Sequence, residues 1–392
     1  MIPRTISRLN NVKSEDFNIQ LPRVTVVTHS PSPYQVELFD EAARMGSLQL
    51  SVIYLHARDK QRLWQTTKPF HDSILLTDPN VDVNAVARST DEADLLVLNY
   101  YKHPFVKHVL QRRKRIRKPM CFWGERPLLH SLSPLSGLFR MWRLRAIHLT
   151  HAPIWGIGSM AVTAYRREFG SGHEYVNIPY FSNLEKFGSV PRSPLSKERV
   201  FLFSGMLCHR KGTDLLAHAF ARLAAEFNHV RLRVVGYGPM EAEMKEQLSS
   251  LSDRVDFTGF CPWDRLHLEY AKGDILCVPS RHDGWGLVVP EGLAAGLPVV
   301  STIQTGAAVE FIKPGHNGWL HPPGEGEGLY RSMRLAATLT DEQWHDMSHR
   351  ARISVAQHSL QRGAAKLIES AIAAMPGRTI QPKGSPVENF PM

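Results

Sequence analysis

Arg281 to Val300 reads RHDGWGLVVPEGLAAGLPVV. Two acids, Asp283 and Glu291, stand eight positions apart, with Gly284 and Gly286 between them. Pro290 can open a helix at its first position, and Gly296 followed by Pro298 can end it. The run from Pro298 to Thr302 then reads as a buried strand. One carboxylate thus precedes a helix and the other lies in its first turn. The glycine-rich backbone between them has free N–H groups that can face an anion. A diphosphate fits such a helix end, and carboxylates on either side accept hydrogen bonds from hydroxyls. Those are the chemical features of a sugar nucleotide.

The alternation of buried strand and helix continues outward from this segment. Upstream, Val200 to Ser204, Leu232 to Val235, Val255 to Thr258 and Ile275 to Pro279 read as strands, with helices starting near Thr213 and Glu241. In the first of these helices Leu216, Phe220, Leu223 and Phe227 form one apolar face. Further upstream a second set appears: strands at Val24 to Thr28, Leu48 to Leu55, Asp94 to Leu98, Met120 to Trp123, near Ile154, and at Val176 to Pro179. Its helices begin near Gln35, run through Val106, Val109 and Leu110, and extend from Ser159 to Gly170. Continuous apolar strands alternating with helices predict an α/β protein with parallel sheets covered on both faces. The polar, Pro-containing stretch near residues 191–199 separates two doubly wound, Rossmann-like domains, 22–190 and 200–347. Residues 1–21 and 376–392 read as disordered extensions. A long amphipathic helix, about Ser348 to Ala374, follows the second domain. Two such domains facing across a cleft place ligands at the carboxyl ends of their strands.

The chain has 392 residues, enough for two domains of ordinary size. No stretch approaches ~18 uninterrupted apolar residues, and the N-terminus has no apolar core of signal-peptide length, which predicts a cytoplasmic protein. Cys121, Cys208, Cys261 and Cys277 are widely spaced and read as reduced core residues. Net charge is +10, and residues 101–150 hold twelve Lys or Arg against one acid, Glu125. That concentration predicts an anionic partner for one face of the first domain. No recognition fold for nucleic acid is apparent. Around Gly137 to Arg145, basic and apolar residues mix with helical character, the composition of an interfacial helix on anionic lipid. The protein is therefore read as peripheral on the inner face of a membrane.

The acid, glycine-aromatic-glycine, glutamate pattern of Asp283, Gly284, Trp285, Gly286 and Glu291 resembles the donor-site signature of retaining GT-B glycosyltransferases of the family 4 type, the glycosyl transferases group 1. Gly205-Met-Leu-Cys-His-Arg-Lys211-Gly212 after the strand VFLFS is similar to that family's G-x-x-x-x-x-K-G loop. The resemblance implies that the second domain binds a nucleoside-diphosphate sugar, that the first binds the acceptor, and that the helix within 348–375 crosses back to the first domain. It implies donor contacts from Gly205, Lys211, Gly236, Gly284, Trp285, Gly286, Leu287 and Glu291, with Glu291 on the ribose hydroxyls. Asp283 would touch the transferred sugar, and Lys211 would stabilise the departing diphosphate. The chain departs from the family at Asp283, usually glutamate, and at Met206, where many members have arginine.

On the acceptor side, the loop His29-Ser-Pro-Ser-Pro-Tyr34 gives Ser32 and Tyr34 as contacts, and Asn99 stands where members often carry histidine. Asparagine is no general base near neutral pH. Glu125, read as a buried carboxylate, would orient the acceptor or stabilise positive charge at the anomeric carbon. No D-x-D occurs, and neither a metal nor a resident cofactor is expected. The activity implied is transfer of a sugar to a hydroxyl of a glycan or lipid-linked glycan, with retention. Two rival readings are a sugar-nucleotide epimerase or hydrolase on the same fold, and a non-catalytic nucleotide-sugar-binding partner subunit.

Overall fold

The computed structural model describes residues 20–58, 68–99, 103–127, 144–145, 147–191 and 198–376. The predicted extension 1–21, the linker 191–199, the tail 376–392 and the basic helix near Gly137 fall wholly or mostly outside them.

The chain folds into two parallel sheets. The first contains β1 (Arg23–Thr28), β2 (Gln49–Tyr54), β3 (Asp72–Leu75), β4 (Leu95–Leu98), β5 (Met120–Gly124), β6 (Ile154–Gly156) and β7 (Tyr175–Asn177), in the order β3-β2-β1-β4-β5-β6-β7. The second contains β8 (Arg199–Ser204), β9 (Val230–Val235), β10 (Val255–Gly259), β11 (Ile275–Val278), β12 (Val299–Thr302) and β13 (Gly318–His321), in the order β10-β9-β8-β11-β12-β13. Every residue of β4, β11 and β12 is buried, as expected for strands covered by helices on both faces.

Local sequence explains the helices. Pro33 opens the helix Pro33–Arg44, and Gly46, at a φ of +62°, follows its end. Thr340 and Gln343 form a reciprocal capping box at the start of Asp341–Val355. In the helix Pro104–Ile116, Arg113 is turned inward and donates to the carbonyls of Thr90, Ala93, Asp94 and Pro119. Burial pulls its guanidinium down to about 10. One apolar cluster spans both halves of the molecule, joining Phe39, Trp123 and Tyr180 to Trp285 and Leu293 and to Leu367 and Ile368 of the last helix.

The single helix predicted over Ser348 to Ala374 is two helices, Asp341–Val355 and Leu360–Ala373. His358 interrupts them by turning into the core. Its Nε2 bonds to the Tyr180 carbonyl at 3.0 Å, and its ring stacks on Phe181 with centroids 4.2 Å apart. Ser359 then caps a new helix by accepting from the Arg362 N–H. That last helix packs against Pro33–Arg44 of the first half. The sequence reading also passed over β3 and β13. Both are four-residue edge strands, too short to show a period.

Gly363 marks the closest approach of the last helix to the first half: a Cβ there would lie 2.4 Å from Phe181 Cγ. Gly363→Leu is expected to lower the thermal midpoint by several degrees. Overpacking costs about 1–3 kcal/mol against a propensity gain of under ~1 kcal/mol. An unchanged or raised midpoint in a thermal melt would contradict this packing.

Candidate active site

In each sheet the strand order reverses beside the first strand, between β1 and β4 and between β8 and β11. Open parallel sheets bind ligands beyond the carboxyl ends of the strands at that point. The loops leaving β1, β5, β8 and β11 meet there around a cleft cavity of about 220 Å³. It collects Asp283, Lys211, Glu125, Gly205, Gly236, Trp285, Gly286, Leu287, Glu291 and Tyr34. Ser32 and Asn99 do not line it, and Gly284 enters it only through its contact with Glu125.

One end of the cavity is ionic. The turn His209–Lys211 carries Lys211 to Asp283, Nζ to Oδ2 at 2.5 Å, and Arg210 Nη1 lies 4.0 Å from the other oxygen. Arg210 also donates to the His282 carbonyl at 3.1 Å. Two cations are therefore held beside the glycine-rich turn. Gly284 lets the Glu125 carboxyl approach this turn: a Cβ there would lie 2.2 Å from Glu125 Oε2. Glu125 is exposed at the rim rather than buried as the sequence suggested. It follows the end of β5, outside the sheet's cover.

The floor is a carboxyl. Glu291 lies in the short helix Val288–Ala294 and is 1% exposed. Tyr270, itself buried, donates its hydroxyl to Oε2 at 3.2 Å, while Oε1 has no partner among the described residues. Burial pushes this carboxyl up to about 8 against the pull of the Tyr270 hydroxyl; Glu37 raises it and Lys211 lowers it. The Trp285 indole N–H is also buried without a partner. The remaining wall is aromatic and apolar, with Tyr237 edge-on to Phe260 at 5.7 Å and Trp263 and Leu266 beside them. Gly236 makes that wall accessible. Its φ is +145°, and a Cβ would lie 1.8 Å from the Gly205 carbonyl oxygen, so the two loops touch backbone to backbone.

Residues that sequence reasoning missed bind the two lobes around the cavity. Glu37 accepts from Lys186 at 2.7 Å and, across the cleft, from the Trp263 indole at 3.2 Å. Arg126 crosses in the opposite direction, donating to His282 Nδ1 at 2.7 Å and to the Gln304 carbonyl at 3.3 Å. Glu310 caps the helix of the other lobe, accepting from the Ser159 N–H and from Asn177 at 3.4 Å. No local motif marks such pairs, because their partners are more than 100 residues away. On the acceptor side, Tyr34 packs on Tyr180 at 4.8 Å. Ser32 is the N-cap residue of Pro33–Arg44. Asn99 accepts from Thr28 at 3.0 Å, and its Nδ2 is buried without a partner. Within the basic segment, Arg112 pairs with Asp91, Arg113 is internal, and Lys118 donates to the Asp91 carbonyl at 2.7 Å. Arg115 and Arg117 remain exposed and Lys114 half-buried. No helix among the described residues is long and apolar enough to cross a membrane.

With this geometry established, comparison with known proteins is informative. Residues 189–354 match the family model of glycosyl transferases group 1. The chain is 34% identical over 128 residues to an uncharacterised glycosyltransferase of Methanocaldococcus jannaschii, covering 32% of each chain. It is 23% identical over 253 residues to the 2-deoxystreptamine N-acetyl-D-glucosaminyltransferase of Niallia circulans, covering 60% of this chain and 61% of that one. It thus spans between about a third and three fifths of these curated relatives' lengths. Among solved structures, Anabaena HepE in complex with UDP and glucose superposes with a TM-score of 0.67 at 18% identity, over 89% of this chain and 99% of that one. The fold is GT-B, and the resemblance to group 1 glycosyltransferases read from the sequence is borne out.

The raised Glu291 carboxyl has a consequence for stability. The folded protein keeps this proton up to about pH 8, whereas the unfolded chain releases it near its ordinary 4.5. The unfolded state binds fewer protons across that window, so stability falls as pH rises through it. Glu291→Gln has no proton to lose there. Its thermal midpoint should match the wild type near pH 5 and exceed it by several degrees at pH 8.5. A midpoint difference that does not change between the two pH values would contradict the assignment.

Proposed function

We propose that this chain, a GT-B protein whose residues 189–354 match the glycosyl transferases group 1, moves a sugar from a nucleoside diphosphate to a hydroxyl of a glycan or lipid-linked glycan, with retention at the anomeric carbon. One observation carries the reading. A single cleft joins an aromatic wall, a buried acid with an oxygen unpartnered among the described residues, and an ionic end, the three features that base, ribose and diphosphate require.

The base lies along Tyr237, Phe260 and Trp263. Glu291 Oε1 accepts from the ribose hydroxyls, as a ribose-binding acid does in other nucleotide folds. Lys211 and Arg210 neutralise the diphosphate, Arg210 standing in for the arginine that Met206 replaces. In this structure Lys211 is paired with Asp283. Binding a diphosphate would share Lys211 between phosphate and carboxylate, turning Asp283 toward the hydroxyls of the transferred sugar. As the bond to the anomeric carbon breaks, negative charge grows on the leaving phosphate, and the fixed cations stabilise it without reorganising. The phosphate oxygen, on the same face as the incoming hydroxyl, takes the acceptor's proton, so no enzymic base is required. Glu125, at the rim, orients the acceptor. Anabaena HepE has been solved in complex with UDP and with UDP-glucose, which makes a uridine donor the first to test.

UDP-, GDP- and ADP-sugars, incubated alone and with glycan acceptors, separate the readings. Transfer only with acceptor supports this one. Sugar release or rearrangement without acceptor identifies a hydrolase or epimerase. Nucleotide binding without any turnover identifies a partner subunit. Lys211→Ala is expected to lower turnover by about 10²–10³-fold, the scale of losing one charge-stabilising group; wild-type rates would remove Lys211 from the mechanism.

We also propose that the first lobe rests on an anionic lipid surface through Lys114, Arg115 and Arg117 together with the basic residues further along. Each such charge contributes about 1 kcal/mol near the surface. Replacing these three with glutamine, while sparing the internal Arg113, should reduce flotation with phosphatidylserine vesicles at least tenfold. Equal flotation would end the membrane reading.

A further inference from the structure

A second cavity, about 690 Å³, shares a wall with the first. The wall is made of consecutive residues that face opposite ways. Glu125 and Asp283 line the first cavity, and their neighbours Arg126 and His282 line the second. Both lobes contribute to it, so it is part of the cleft and not an isolated void.

Its lining has a specific chemistry. From the first lobe, Ser159, Thr163 and Arg167 lie four residues apart along the helix Ser159–Phe169 and share one face. Arg126 enters from the loop after β5, and Arg281, His282 and Gln304 from the second lobe. No acid lines this cavity among the described residues. The charge of Arg281 is met by Asp214, which it grips through two hydrogen bonds of 2.7 and 2.6 Å. Glu310, close by, spends its Oε1 on the Ser159 N–H and Asn177. Arg126 is fixed by His282 and the Gln304 carbonyl, and the acid that attracts its charge, Asp283, lines the first cavity and not this one. Arg167 is exposed and takes part in no ion pair among the described residues. Two guanidinium groups therefore face a roomy cavity beside a stripe of hydroxyls. Guanidinium forks match carboxylate and phosphate oxygens, and hydroxyls and amides match sugar hydroxyls.

We infer that this second cavity seats the acceptor and selects an anionic saccharide, whose carboxylate or phosphate is held by Arg126 and Arg167. The inference rests on the donor reading above for its mechanism: a saccharide there lies one residue's width from the donor cavity, with Glu125 and Asp283 between. Its size suits more than a lone anion, and the Ser159 and Thr163 hydroxyls serve the neutral part of the sugar.

Calorimetric titrations of the whole protein test it, using cellobiouronic acid, cellobiose 6′-phosphate and neutral cellobiose, with UDP titrated separately. A charge-assisted contact is worth about 1.5–3 kcal/mol, so an acidic sugar should bind at least about tenfold more tightly than cellobiose. Arg167→Ala should remove most of that advantage while leaving UDP affinity unchanged, which also reports that the variant is folded. A preference for one acidic sugar over the other identifies the anion as carboxylate or phosphate. Equal affinity for all three sugars, or an acidic sugar unaffected by Arg167→Ala, would overturn the inference. If the acidic sugar binds as expected and UDP does not bind at all, the donor reading fails and this one stands.

Discussion

A carboxyl group sealed from water needs partners, and Glu291 has one hydrogen bond, from Tyr270, among the described residues. Leaving its second oxygen unmet at the floor of a cleft is costly. The fold maintains that state because the short helix after the glycine-rich turn lies against β11 and β12, and because Lys211, two loops away, lends positive potential. A donor hydroxyl pair arriving at Oε1 would relieve the deficit and favour the ionised form. A ligand with hydroxyls at that position would supply the partners that this oxygen lacks among the described residues. Every other feature of the cleft is arranged around that point: cations at the ionic end, aromatic edges along the opposite wall, and Glu125 at the rim.

Three polar ties close the lobes over this floor: Glu37 with Trp263, Arg126 with His282, and Glu310 with the Ser159 N–H. Partly exposed hydrogen bonds of this kind contribute about 1 kcal/mol each. The last helix, packed on Pro33–Arg44, joins the lobes through apolar contacts that are far harder to separate. The molecule therefore has a durable connection at one side and weak polar latches at the other. That combination allows the cleft to open for a large substrate without disturbing either sheet.

The α/β alternation was legible because buried strands such as LLVL and ILCV have no polar residue to obscure them. Asp283 and Glu291 were legible because turn glycines, the cap and the strand occupy one continuous segment, and Lys211 because it stands in its own glycine-flanked loop; all three line one cavity. What could not be read depends on distance in the chain. Arg126 looked like part of a basic stretch, and nothing local to Glu310 shows that its partners lie in the other lobe. Arg113 carries the same charge as its neighbours yet serves four carbonyls of the interior. The break at His358 was hidden because the residues on both sides favour a helix; its hydrogen bond to the Tyr180 carbonyl and its stacking on Phe181 explain it. The short edge strands escaped because four residues do not establish a period.

The central claim is that Glu291 receives a nucleotide's ribose. Calorimetric titration with UDP at pH 7, in two buffers of different ionisation enthalpy, counts the protons exchanged on binding. The account predicts that wild-type protein releases more protons than Glu291→Gln, by up to one per site, and binds more tightly. Identical proton counts and affinities in the two proteins would contradict it.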